Sequence, residues 1–211
     1  MDRADRSLTV VFDLGEVLVP STGVLPALAG ELGVDIGPLR AAYWPGRLAY
    51  ALGGSDTNYW SGVLTALDQE PAAELITRLR DRDATKWSAL PPESAQLLTG
   101  LVDSGVRLGV LSNAPAPLAA AVRAAAWSSP IDVLVFSADL GLAKPDPAIY
   151  AAADTAYGTT PADVVFFDDK PENVAAARAH GWDAHVWVGP EEALAVLAQR
   201  NVSAAAATSA T

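Results

Sequence analysis

Val10-Val11-Phe12-Asp13-Leu14-Gly15-Glu16-Val17-Leu18 decides how this chain is read. The apolar run predicts a short buried strand that ends on a carboxylate and enters a glycine turn. In an α/β sheet, ligands bind outside the carboxyl ends of the strands. An aspartate placed there serves as a nucleophile or as a metal ligand. Alone, Asp13 would read as a helix cap or a turn residue. Three later segments complete it: Ser112-Asn113, Lys144-Pro145 and Asp168-Asp169.

Working outward, apolar runs predict parallel strands at residues 8–12, 106–111, 133–136, 164–167 and 184–188. Helical patterns separate the last four. One covers about 93–104. Another starts at Asp146-Pro147, with an N-cap residue and a proline at the first helical position. A third starts at Pro171-Glu172 and ends near His180-Gly181. The alternation predicts a doubly wound, Rossmann-like α/β core with a parallel sheet. Residues 20–91 differ. They show helical patterns at 24–32, 37–43, 58–67 and 72–80, broken by Pro45-Gly46 and Gly53-Gly54-Ser55, and no strand. The expected division is an α/β core of residues 1–19 and 92–200, an inserted helical cap of 20–91, and a disordered tail of 201–211.

Composition narrows the function. Hydrophobic residues make up 51% of the 211, enough for a sizeable core. Lysine and arginine number 14 against 25 acids, a net charge of −11, so nucleic acid is not an expected partner. There is no cysteine, which excludes disulfides, thiolate catalysis and cysteine metal sites. His180 and His185 are the two histidines, and with no Gly-x-Ser-x-Gly elbow a Ser-His-Asp triad is not expected. No signal-peptide core and no bilayer-length apolar run is present, so the expectation is a cytoplasmic protein without a membrane partner. The assembly stays open between monomer and homodimer.

The strand-end residues suit one chemistry. A hydroxyl, an amide and backbone N–H groups at Ser112-Asn113, with Pro115 and Pro117 opening the next helix, make an anion site. Lys144, before a rigid proline turn, places a fixed charge that neutralises a phosphoryl group and holds Asp13 ionised. Lysine is otherwise confined to Lys86 and Lys170. The adjacent carboxylates Asp168 and Asp169 repel unless a cation compensates, and an oxygen-only donor set suits magnesium. Asn173 stands where it can orient that pair, and Asp169 is also a candidate helix cap.

In this order, the four segments resemble the haloacid dehalogenase superfamily of hydrolases. The likeness runs from about Thr9 to Val188, Phe166-Phe167-Asp168-Asp169-Lys170-Pro171-Glu172-Asn173-Val174 is similar to its small-metabolite phosphatase branch, and the Leu14-Gly15 form of the first loop resembles that of some sugar-phosphate phosphatases. The resemblance implies Asp13 as a nucleophile that forms an aspartyl-phosphate. It implies Mg²⁺ held by Asp13, the Gly15 carbonyl and Asp169. Ser112 and Asn113 would hold the phosphoryl oxygens, Lys144 would neutralise them, and Asp168 would support the site from behind. The substrate would be a small phosphorylated metabolite.

One position departs from that pattern. Phosphatases of the family typically carry aspartate where this chain has Gly15, and that aspartate is the general acid and base. General acid catalysis is commonly worth roughly 10²–10⁴ in rate. The departure implies a preference for better leaving groups, such as anomeric sugar, acyl and aryl phosphates. Glu16 is a substitute acid one residue out of register. Two competing readings follow. A 2-haloacid dehalogenase needs no proton for its halide, but its last motif is rich in serine and asparagine, unlike Asp168-Asp169. A non-catalytic homologue would bind a phosphorylated ligand or a protein. In the cap, Tyr43, Trp44 and Arg47 are candidates to contact substrate, with Tyr50 and Tyr59 nearby, whereas Trp60 is expected to pack the cap's core.

Overall fold

The structure is a computed structural model that describes residues 8–202. Of the expected tail, residues 203–211 lie outside the described residues. The amides of Asn201 and Val202 bond back to the carbonyls of Ala198 and Leu197.

Five strands form one wholly parallel sheet. They are β1 (Thr9–Phe12), β2 (Arg107–Ser112), β3 (Val133–Phe136), β4 (Val164–Asp168) and β5 (Asp183–Val186), in the order β3-β2-β1-β4-β5. Every expected strand is present. The chain runs outward from β1 through β2 to β3, then returns to the other side of β1 with β4 and β5. The order therefore reverses beside β1, where a doubly wound sheet opens its binding crevice. Phe12 aligns with Val110 on one side and Phe167 on the other, so Asp13 leaves the sheet level with Leu111 and Asp168. The last strand ends at Val186 rather than 188, and Val188 is exposed.

Side chains alternate across the sheet. Val10, Phe12, Val110 and Phe167 face a layer built from α6 (Pro92–Ser104), α7 (Ala116–Ala124) and α11 (Pro190–Gln199). Val11, Leu111 and Phe166 face α9 (Pro147–Tyr157) and α10 (Pro171–His180). Phe12 and Phe167 stack with ring centroids 5.4 Å apart. Each such fully buried side chain contributes roughly 1.5–3 kcal/mol. Gly109 in mid-β2 is required by a close approach. A Cβ there would lie 2.8 Å from the Tyr157 ring, whose hydroxyl donates to the Val110 carbonyl.

Between β1 and α6 lies the helical insert: α1 (Val24–Leu32), α2 (Ile36–Tyr43), α3 (Arg47–Ala51), α4 (Asp56–Ala66) and α5 (Ala73–Trp87). Two differences from the sequence expectation matter. Residues 47–51 form a short helix where no helix is expected. And α5 continues seven residues past 80. Its buried face reads Ile76, Leu79, Asp83, Trp87, so an aspartate interrupts the apolar pattern at helical spacing. The insert shares the hydrophobic core on the α6 side of the sheet. Two bonds tie it to the sheet domain: Ser137 Oγ donates to the Ala51 carbonyl at 2.6 Å, and Trp127 Nε1 to the Ser88 carbonyl at 2.9 Å. Among the described residues, no helix is long and apolar enough to cross a membrane.

Candidate active site

The strand ends and the insert enclose a cavity of about 480 Å³. Its floor includes Asp13, Gly15, Ser112, Asn113, Lys144, Asp169 and Asn173; Trp44, Arg47, Leu48, Ala51 and Trp87 come from the insert.

Asp13 is held on three sides. Its amide donates to the Phe167 carbonyl at 2.9 Å. Its Oδ1 accepts the Leu14 N–H at 2.6 Å, and its Oδ2 lies 3.0 Å from Lys144 Nζ. Burial pushes its carboxyl up to about 6; the Lys144 ammonium opposes the rise and the Asp168 carboxylate adds to it. The turn that follows closes on itself: the Leu14 carbonyl accepts the amides of Leu18 and Val19, and the Val19 carbonyl accepts that of Glu16. These bonds leave the Gly15 carbonyl out. Glu16 takes the left-handed conformation, φ 59°, and its carboxylate turns back to the Ser21 amide at 3.3 Å.

Lys144 is 3% exposed, and Nζ makes three polar contacts: the Leu111 carbonyl at 2.8 Å, Asp168 Oδ2 at 2.6 Å and Asp13 Oδ2 at 3.0 Å. Burial lowers its pKa, but the two carboxylates more than offset that and leave it above the ordinary lysine value. Asp168 is saturated. It accepts Lys144 Nζ, the Lys170 amide at 2.9 Å and the Asn173 carboxamide. Asp169 does not cap α10: Lys170 is the capping position, and no side chain caps it. Asp169 is half-buried, and burial followed by the neighbouring Asp168 raises its pKa.

Oxygens of Asp13, Asp168 and Asp169 lie within 4.8 Å of one another. Three carboxylates against one buried ammonium leave two negative charges, the charge of one divalent cation. Since Asp168 is committed to Lys144 and Asn173, Asp13, Asp169 and the Gly15 carbonyl are the donors that fit a hard cation. The residues present suit magnesium.

Two sequence expectations need correction. The Asn113 carboxamide does not reach for a ligand. Its Oδ1 accepts the Lys144 amide and its Nδ2 donates to the Lys144 carbonyl, each at 2.8 Å. Both polar atoms of that side chain are taken up by the Lys144 peptide. Tyr43 does not line the cavity. It is fully buried, donates to Asp83 Oδ1 at 2.6 Å and accepts Trp87 Nε1 at 2.8 Å. Trp44 and Arg47 do line the cavity, but Arg47 pairs with Asp83 Oδ2 at 2.8 Å. Tyr50 and Tyr59 stack on each other inside the insert, and Trp60 is buried as expected. His180 and His185 pair with Asp154 and Asp183, away from the cavity. Sequence reasoning missed Trp87, Leu48 and Leu118 as cavity walls, because nothing in their spacing separates a wall residue from a core residue.

A parallel doubly wound sheet with this strand-end constellation and an inserted helical module defines a Rossmann-like α/β protein with its site at the strand ends. The chain belongs to the haloacid dehalogenase-like hydrolases, whose family profile matches residues 8–181. It is 30% identical over 179 residues to the phosphoglycolate phosphatase of Photorhabdus laumondii, covering 82% of this chain and 76% of that one. It is also 30% identical over 189 residues to the (S)-2-haloacid dehalogenase 4A of Burkholderia cepacia, covering 85% and 82%. A HAD family enzyme from Bacteroides thetaiotaomicron, solved with magnesium and inorganic phosphate, shares the fold at a TM-score of 0.66 and 16% identity, covering 85% of this chain and 93% of that one. The protein is a hydrolase.

Proposed function

We propose that this hydrolase is a magnesium-dependent phosphatase of a small phosphorylated metabolite, a sugar phosphate being the form the sequence favours. The observation that carries the reading is Asp169. It stands half-buried beside Asp13, while the one buried ammonium is shared between Asp13 and Asp168. Such a charge surplus suits a site that works with a cation and a phosphoryl group.

In this reading Asp13 Oδ attacks phosphorus. The bond to the leaving oxygen breaks as the aspartyl-phosphate forms, and water then releases inorganic phosphate. Ser112 Oγ and the Asn113 backbone hold the phosphoryl oxygens. Lys144 neutralises their charge and, clamped by Asp168, keeps Asp13 aimed. Magnesium, held by Asp13, Asp169 and the Gly15 carbonyl, would supply charge neutralisation at the transferring group. The insert acts as a cap that keeps bulk water from the site.

A 2-haloacid dehalogenase is the second reading, since a relative of that name is also 30% identical. The acidic pair weighs against it, because halide departure needs no cation. The deciding experiment measures phosphate and halide release in parallel, with and without magnesium, for the native protein and Asp13→Asn. Magnesium-dependent phosphate release that vanishes in the variant is expected. Halide release without phosphate release would overturn the phosphatase reading. Aspartyl-phosphate formation without turnover would mark a binding protein.

A further inference from the structure

Each acid that lines the cavity, Asp13, Glu16 and Asp169, comes from a strand-end loop. The insert contributes Trp44, Arg47, Leu48, Ala51 and Trp87, with no acid among them. In-line displacement at phosphorus sends the leaving group away from Asp13, off the sheet edge and toward the insert. The group therefore departs toward a wall of Trp44, Leu48, Ala51 and Trp87, beside an Arg47 already paired with Asp83.

Trp87 shapes that wall. It is 5% exposed, and its ring edge stands 3.3 Å from where a Cβ on Gly15 would lie, with two more ring atoms at 3.7 and 3.9 Å. The Gly15 backbone is not left-handed, so the ring, rather than the backbone, is what an added side chain at this position would press on. Nor is the ring free to swing. Trp87 Nε1 donates to Tyr43 Oη, Tyr43 donates to Asp83 Oδ1, and Arg47 donates to Asp83 Oδ2, at 2.8, 2.6 and 2.8 Å. Three residues, one from each of three helices of the insert, fix one indole over the catalytic turn.

We infer that Trp87 is the specificity-determining residue for the leaving group. Its fixed ring selects phosphate monoesters whose leaving oxygen is carried on a ring and is less basic than a simple alkoxide. The inference rests on the phosphatase reading and names its substrate class. When Asp13 Oδ bonds to phosphorus, the P–O electron pair stays on the leaving oxygen. With no side chain on Gly15 and the Glu16 carboxylate accepting the Ser21 amide at 3.3 Å, the oxygen departs as an anion and takes its proton from water. An aryl ring, or the C–H face of a sugar ring, packs on the indole, and a weakly basic oxygen needs no donor to leave.

Two measurements test this, one of which needs no turnover. Thermal melts compare Gly15→Ala in the native protein and in Trp87→Leu. The expected fall is about 2–4 °C in the native background and under about 1 °C with leucine at 87, since only the ring meets the added methyl. Equal falls would overturn the placement of Trp87. Initial rates are then taken with magnesium on phenyl phosphate, an aldohexose 1-phosphate and propyl phosphate. Native kcat/KM should favour both ring esters. Trp87→Leu should cost the ring esters about 10-fold, mainly in KM, and leave propyl phosphate within about 2-fold, while Trp87→Phe retains most of the preference. An equal loss on ring and chain esters would overturn the inference. A gain for phenyl phosphate alone would sort by leaving-group basicity and overturn the ring requirement. Release from none of the three would overturn the phosphatase reading and the substrate class with it. The melts separate that failure from a misplaced ring.

Discussion

Asn113 clasps the peptide of Lys144: its Oδ1 accepts the Lys144 N–H and its Nδ2 donates to the Lys144 carbonyl, each at 2.8 Å. The loop after β2 thus fixes the loop after β3, and the lysine reaches Asp13 from a rigid base. Replacing Asn113 with alanine unpairs both backbone groups. The expected cost is about 1–3 kcal/mol of stability, read in urea unfolding. A lysine with a looser base should also lose roughly 10-fold or more in kcat with little change in KM, because positioning acts on the reacting step. Unchanged kcat would remove Asn113 from the positioning role.

Lys144 sits between two carboxylates, 2.6 Å from Asp168 and 3.0 Å from Asp13. Removing it leaves both buried and unpaired. Lys144→Ala should therefore destabilise the metal-free protein by about 3–5 kcal/mol. Lys144→Ala combined with Asp168→Asn should recover part of that loss, since one unpaired charge disappears. Equilibrium unfolding in chelator compares the two. A double variant no more stable than the single one would contradict the assignment of Asp168 as the anchor of Lys144.

Protons and magnesium compete for the same oxygens. Burial holds the Asp13 carboxyl up to about 6, against an ordinary 3.8, and also raises that of Asp169. A carboxylate whose folded pKa is raised costs stability when ionised. The native, metal-free protein should then lose stability as pH climbs from about 3.8 through about 6, and Asp13→Asn should lack that portion of the slope. Magnesium reverses the cost by binding the ionised form, so its affinity should fall as pH drops below about 6. Calorimetric titration at pH 7.5 and 5.5 checks this, together with proton release on binding at the lower pH. Asp169→Asn should weaken magnesium by roughly 10-fold or more. Equal affinities at the two pH values would place the cation on other ligands.

The sheet and its strand ends were legible because each signal was local. An apolar run of four or five residues closing on a polar residue gives both the strand and the position of its last side chain, as at Asp13, Ser112 and Asp168. Charge logic added the neighbourhood of Lys144. The insert was less legible, and the reason is visible in α5. Its buried face includes Asp83, so apolar periodicity stops short of the helix end at Trp87. Tyr43 reads as a ligand contact for the same reason that Trp87 goes unread. Whether an aromatic on a small helical module faces the cavity or its own core depends on pairings between helices, here Tyr43 with Asp83 and Trp87, more than 40 residues apart in one case. Sequence spacing carries no trace of them.

Arg47 follows from that same network. Its guanidinium lines the cavity, yet it is bound to Asp83 and stands over the rings of Tyr43, Tyr50 and Tyr59, with its centre 4.9 to 5.7 Å from theirs. Burial lowers its pKa and Asp83 more than restores it, so it stays charged throughout the working range. A cation spent on a buried partner is a poor receptor for a second anionic group. Its removal should damage the insert before it damages substrate recognition. Asp83→Ala leaves Arg47 buried and unpaired and should cost about 3–5 kcal/mol. Arg47→Ala together with Asp83→Ala should cost less than the sum of the two single changes, a coupling measured by a double-mutant cycle in urea. KM for a substrate with a second anionic group should rise no more in Arg47→Ala than KM for one without. A selective rise would restore Arg47 as an anion receptor and make its bond to Asp83 a resting-state pairing.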